Sequence, residues 1–146
     1  MEDGLKFSGA EAHLVVHATE DQDKILHSLQ ILLEIPPDKF STVPSDGHYK
    51  NKIMMAHATF SSSEANDLAQ NIASSLNSSD RQELTNNIDQ FSDEKGNLYL
   101  RLDKQRLCQG KISLASADVV RIKFKPVKRY RPTSSLESYR GLFSSE

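Results

Sequence analysis

The hexapeptide Leu98-Tyr99-Leu100-Arg101-Leu102-Asp103 alternates apolar and polar residues without a break, which only an extended chain with one buried face accommodates. Its three leucines therefore demand a core on one side, and Tyr99 and Arg101 are expected on the other. Val119 to Lys125 repeats the pattern, with Val120, Ile122 and Phe124 inward and Arg121, Lys123 and Lys125 outward. Any fold of this chain must thus contain a sheet with one apolar and one basic face.

Helical periodicity supplies the cover for the apolar face. Ile25, Leu26, Leu29, Leu32 and Leu33 form one stripe, with Thr19 and Gln22 at capping-box spacing before it and Pro36-Pro37 closing it. Ala65, Leu68, Ala69, Ile72 and Leu76 form a second stripe after the box Ser61 to Glu64. Ser79 and Gln82 announce a short third helix that turns Leu84, Ile88 and Phe91 inward. Further strands are predicted at Ala12 to Ala18, with Leu14, Val16 and Ala18 on one face, at Lys39 to Val43 and Lys52 to Phe60 as a hairpin, and at Lys111 to Leu114. Strand, helix, two strands, two helices and three strands define an α+β protein: a curved, mainly antiparallel sheet covered on one face by two to three helices. The domain spans residues 10–126, between a flexible N-terminus (1–9) and a flexible tail (127–146) rich in serine and basic residues. Leu136, Tyr139, Leu142 and Phe143 keep approximate helical spacing within that tail, so it also reads as a segment that folds onto a partner.

Charge adds a functional constraint. Residues 1–94 carry 6 Lys and Arg against 16 Asp and Glu, a net −10, whereas residues 95–131 carry 11 against 2, a net +9. Such segregation within a chain of net charge −2 is the footprint of a polyanion binder, and equally of acidic helices neutralising basic strands. Tyr99 between basic groups offers a stacking surface to an unpaired base, and Lys104 and Gln105, in the loop after the alternating strand, supply phosphate and amide contacts. Asp103 competes for Lys104 or a nearby arginine as a loop-fixing pair.

Other chemistries find little support. His13 and His17 share a strand face with His57 on a neighbour, but an i, i+4 pair on a strand is about 13 Å apart, so no metal site is expected. His48, beside Gly47, braces a turn or contacts RNA. Cys108, the one cysteine, reads as a small buried hydrophobe and cannot form an internal disulfide. No glycine-rich phosphate cradle and no nucleophile-base pair occur at a recognisable spacing, so neither a cofactor nor an enzyme is expected. No apolar run reaches the roughly 20 residues of a membrane-spanning helix, and the N-terminus lacks signal-peptide character, which predicts a cytoplasmic protein.

The segment Asp93-Glu94-Lys95-Gly96-Asn97-Leu98-Tyr99-Leu100-Arg101-Leu102-Asp103-Lys104-Gln105 resembles the signature of an archaeal RNA-binding family described as exosome-related. His17-Ala18-Thr19-Glu20-Asp21, the Gly47-His48-Tyr49 turn and Asp118-Val119-Val120-Arg121-Ile122 agree with it, over residues 10–126. Lys50 and Lys52 stand where that family has glycine and proline, and Leu102 where it has phenylalanine. The resemblance implies a fold like the fifth protein of the large ribosomal subunit. The element order differs from the helix, three strands and helix of a double-stranded-RNA-binding domain. The expected function is an RNA-binding accessory protein of RNA processing, a monomer or homodimer with RNA and RNA-processing proteins as partners. Its interface comprises Tyr99, Arg101, Lys104, Gln105, Arg121, Lys123, Lys125 and His48. A protein–protein adaptor is the competing reading, and a hydrolase the third.

Overall fold

The computed structural model describes residues 7–46, 52–127 and 132–143. These form strands β1 (Phe7–Val16), β2 (Ser41–Asp46), β3 (Lys52–Phe60), β4 (Leu98–Asp103) and β5 (Val119–Pro126). Helices α1 (Gln22–Leu33), α2 (Ser62–Ser75), α3 (Ser78–Asn86), α4 (Lys104–Leu107) and α5 (Pro132–Phe143) accompany them. The strands build an open antiparallel sheet in the order β2-β3-β1-β5-β4, which is the α+β class that the sequence predicts.

Contacts divide the chain into two compact units, each assembled from separate stretches. The first comprises residues 1–10, 60–100 and 123–146. Ser61 starts α2 there: its hydroxyl accepts from Glu64 N–H at 3.3 Å, while the Glu64 carboxylate accepts from Ser61 N–H at 2.8 Å, closing the predicted capping box. Ala65, Leu68, Ala69 and Ile72 are buried along α2, as the stripe requires. Asn77 caps α3, accepting from Asp80 N–H at 2.8 Å, so the cap predicted at Ser79 lies two residues earlier; asparagine is at least as good a cap as serine. Phe7, Phe124 and Tyr139 meet at the centre of this unit, with ring centroids 4.9 Å apart for Phe7 and Phe124 and 5.3 Å apart for Phe7 and Tyr139. The Tyr139 hydroxyl donates to the Gly96 carbonyl at 2.8 Å, so its polar end is paired inside the core.

That cluster draws on described residues near both ends of the chain. Strand β1 begins at Phe7 rather than Ala12, and α5 occupies most of the expected tail, with Tyr139 and Phe143 buried. The serine-rich composition hid a two-residue aromatic anchor, and each buried ring contributes about 1.5–3 kcal/mol. Ser8-Gly9-Ala10 carries no large apolar side chain, so the alternation that marks β1 in the sequence begins only at Ala12. Gly9 has a packing reason there: a Cβ on it would lie 3.0 Å from the Phe60 carbonyl oxygen.

The second unit comprises residues 11–59 and 101–122. Ala12, Leu14 and Val16 of β1, Ile25, Leu29 and Leu33 of α1, Ala56 and Ala58 of β3, Leu102 of β4 and Val120 and Ile122 of β5 are buried in it. Asp21 caps α1 by accepting from Lys24 N–H at 3.2 Å, where the sequence pointed to Thr19. The helix ends on Glu34 in the left-handed region (φ 59°), and Ile35 N–H returns to the Leu29 carbonyl at 3.3 Å before Pro36. Strands β2 and β3 form the expected hairpin, paired from Ser41↔His57 to Asp46↔Lys52. β2 runs past Pro44, which an edge strand tolerates and a central one does not. The strand predicted at Lys111 to Leu114 is reduced to a bridge between Leu102 and Leu114, flanked by Asp103 N–H to Ser113 O (2.8 Å) and Ala115 N–H to Arg101 O (3.0 Å). Ala18, expected inward, is exposed, because β1 gives way at His17 to a turn closed by Glu20 N–H to His17 O at 2.9 Å.

Tyr139→Ala should cost about 3–5 kcal/mol in urea denaturation, since it removes a ring from the aromatic centre, whereas Tyr139→Phe should cost about 1 kcal/mol for the hydrogen bond to Gly96. Equal stability of Tyr139→Ala and the parent would restore the flexible-tail expectation.

Candidate nucleic-acid interface

In the first unit the interface grows out of a turn built by one carboxylate. Asp93 Oδ1 accepts from Lys95 N–H (3.0 Å) and Asn97 N–H (2.9 Å), and Oδ2 from Asn97 Nδ2 (3.0 Å) and the Tyr99 hydroxyl (3.0 Å). Gly96 supplies the positive φ of 88° that the turn needs. Partial burial alone would raise the Asp93 pKa, but these hydrogen bonds outweigh it and hold the carboxyl below its ordinary value. Alternation along β4 buries Leu98 and Leu100 and leaves Tyr99 half-exposed, its ring steadied at the hydroxyl end. Lys123 of β5 places its ammonium 6.0 Å from the ring centroid, within cation–π range, and Lys125 lies two residues further on the same strand face. The sequence-predicted pairing of an aromatic with strand lysines is therefore present.

Arg101 and Arg121 belong to the second unit, and both are exposed on the polar side of their own strands. Lys104 is not. Expected in an RNA-facing loop, it is 1% exposed, and its three ammonium protons reach three acceptors: Val15 O at 2.6 Å, Glu20 Oε1 at 2.8 Å and Asp118 Oδ1 at 2.8 Å. Gln105 is exposed, yet its amide nitrogen donates to Glu20 Oε2 (2.7 Å) and Asp118 Oδ2 (3.2 Å), so it braces the same two carboxylates. Glu20 further accepts from His17 N–H at 2.8 Å. Burial pushes the Glu20 and Asp118 pKa values up, but hydrogen bonds from His17, Lys104 and Gln105 to Glu20, and from Lys104 and Gln105 to Asp118, bring both below their ordinary values. Asp118 adopts φ 55°, and its carbonyl accepts from Lys104 N–H at 3.2 Å.

The burial of Lys104 follows from register. Position 104 continues the parity of Leu98, Leu100 and Leu102, so its stem enters the core side just as β4 passes into α4. That parity was the available signal. The acceptors were harder to find, because Glu20 also suits the start of a helix and Asp118 lies in a turn. Asp103 fixes the loop, but as the cap of α4, accepting from Arg106 N–H at 3.0 Å, rather than as an ion pair with Lys104. His48 lies outside the described residues.

The histidines sort into different surroundings. His17 Nε2 is 3.8 Å from Asp118, and His57 Nε2 is 3.9 Å from Glu11. His17, Glu20 and Asp118 bring ligand atoms within 4.8 Å of one another, but Lys104 already supplies the cation to both carboxylates. A groove of about 700 Å³ beside α3 includes Arg81 and Phe143, yet Arg81 donates to the Leu76 and Ser74 carbonyls at 3.1 Å each, which ties it to the backbone.

Residues 10–126 match the model of a family described as RNA binding. The chain belongs to that family. An RNA-binding protein of Pyrococcus abyssi is 30% identical over 116 residues, 75% of each chain. A DUF54 protein of Methanothermobacter thermautotrophicus superposes with a TM-score of 0.75 at 23% identity, covering 95% of this chain and 99% of the other. A DUF54-family protein of Sulfolobus solfataricus gives 0.75 at 22%, over 92% and 96%. These two likenesses establish the fold.

Lys104→Met should cost about 3 kcal/mol in chemical denaturation, near the low end for a broken buried pair because Asp118 keeps solvent contact. The stability that the depressed carboxyls contribute is complete above about pH 4, the ordinary carboxylate range, and is lost as pH falls through their lower folded values. The difference between parent and variant should therefore shrink below about pH 4; a gap independent of pH would show that Glu20 and Asp118 are not its source.

Proposed function

We propose that this protein binds RNA through the polar sides of β4 and β5, as an accessory factor in RNA processing such as the exosome link its family resemblance implies. The observation that carries this reading is Tyr99, held at its hydroxyl by Asp93 and approached by Lys123 at 6.0 Å. A fixed ring keeps little entropy to lose when a base stacks on it, and the neighbouring ammonium neutralises a phosphate of the same nucleotide. Lys125 extends the cationic side in the first unit, and Arg101 and Arg121 provide exposed guanidinium groups in the second. Family membership and the name of the Pyrococcus abyssi relative support RNA as the ligand. Lys104 and Gln105 act as braces within this reading, and the protein acts by binding rather than by catalysis.

One observation favours an adaptor as the second reading. Val43 and Met55 are paired across β2 and β3 and are 60% and 37% exposed. Tyr139 and Phe143 of the C-terminal segment are buried, whereas Val43 and Met55 lie side by side on neighbouring strands and are open to a protein partner.

Charge reversal of Arg121 and Lys123 together should weaken binding of single-stranded RNA at low salt and lower the slope of log affinity against log salt by about 0.7 for each phosphate that is no longer neutralised. Tyr99→Ala should instead cost about 1–3 kcal/mol of affinity with little change in salt slope. Filter binding across a salt series separates the two effects. Unchanged affinity in both folded variants would reject the surface, and capture of a protein through Val43 and Met55 after nuclease treatment would favour the adaptor.

A further inference from the structure

The groove of about 700 Å³ beside α3 is lined by residues of the first unit alone. We propose that it holds one unpaired, carbonyl-bearing nucleobase, uracil or guanine, of the bound RNA; this deepens the RNA reading and rests on it.

Arg81 sets the chemistry. Its Nε and Nη2 donate to the Leu76 and Ser74 carbonyls, so the guanidinium is oriented by the end of α2. The two N–H groups of Nη1 have no partner among the described residues and remain for an acceptor. Those carbonyls lie at the negative end of the α2 dipole and offset the arginine charge, and α3 itself adds Asp80 and Glu83. A phosphate gains little in such surroundings, whereas a neutral ring carbonyl accepts the N–H groups without bringing a second charge. The floor is apolar: Leu76 and Phe143 line the groove and are buried. Arg140 Nε donates to the Thr85 carbonyl at 3.1 Å, which holds the helix carrying Phe143 against α3. This floor suits a flat ring and disfavours a hydrated anion. Gln82 and Asn86 stand one turn apart on the exposed rim, and each amide presents a carbonyl and an NH2 group. Uracil and guanine combine a ring carbonyl with an adjacent ring N–H, which Nη1 of Arg81 and an amide carbonyl match; adenine has neither.

The test measures the full chain against oligouridylate and oligoadenylate of equal length across a salt series. Stacking on Tyr99 alone does not favour uracil over adenine, so a uridylate preference reports the groove. The parent should bind oligouridylate about tenfold more tightly. Gln82→Ala combined with Asn86→Ala should bring the ratio to about one and keep the salt slope for oligouridylate, because no phosphate contact is removed. Both side chains are exposed, so the fold should survive, and Gln90→Ala, which changes an exposed amide outside the groove, should keep the preference. Should the double variant fail to fold, the Phe143 ring resonances of the parent decide: they should shift as oligouridylate saturates the chain. Equal affinities in the parent, or a preference that survives in the folded double variant, overturns the groove site and leaves the RNA reading standing. So do Phe143 resonances that ignore oligouridylate and move with a phenylalanine-bearing peptide, which would make the groove a protein-docking site. Binding of neither oligonucleotide overturns both readings.

Discussion

The Lys104 ammonium joins three parts of the chain that share no local sequence logic: the end of β1 through Val15 O, the turn before α1 through Glu20, and the turn before β5 through Asp118. A lysine with 1% exposure is tolerable only because all three protons find acceptors, two of them charged. Gln105 then bridges the same carboxylates, and Asp103 caps the short helix that carries both residues. The ends of β1, β4 and β5 are thereby pinned around one point in the second unit. Strand registers that decide which side chains face solvent depend on this point, since a slip of one residue would turn every exposed arginine inward.

Charge segregation along the chain consequently has two meanings at once. Part of the basic segment is internal: Lys104 is matched by Glu20 and Asp118. Part is external, because Arg101 and Arg121 stand on the polar sides of β4 and β5, and Lys123 lies over Tyr99. Net charge by segment cannot separate these, since both follow from the same composition; burial does.

Elements with strong periodicity were legible in the sequence. β4 matches its alternating hexapeptide, β5 turns Val120, Ile122 and Phe124 inward, and α2 has its capping box. Expectations failed where local rules were satisfied in more than one register, as at the caps Asp21 and Asn77, or where tertiary packing overrode composition, as at Phe7 and α5. Pro44 ended the predicted strand early because edge position cannot be read from local sequence. At the candidate interface, the outward placing of Tyr99 and the β5 cations follows from alternation, whereas the burial of Lys104 follows only when strand parity is carried one residue past Asp103.

The aromatic centre of the first unit has a kinetic consequence. Ser8 and Pro126, which flank it, are joined by a hydrogen bond across 118 residues of chain, and Phe7 stacks on Tyr139 further out still. Neither unit is a continuous stretch, so neither can be excised as a fragment with its core intact. Closing so long a loop loses chain entropy before any contact at the centre returns enthalpy. Helices α1 and α2 and the β2–β3 hairpin can form from neighbouring residues, while the stacking of Phe7 belongs to the late, cooperative end of folding.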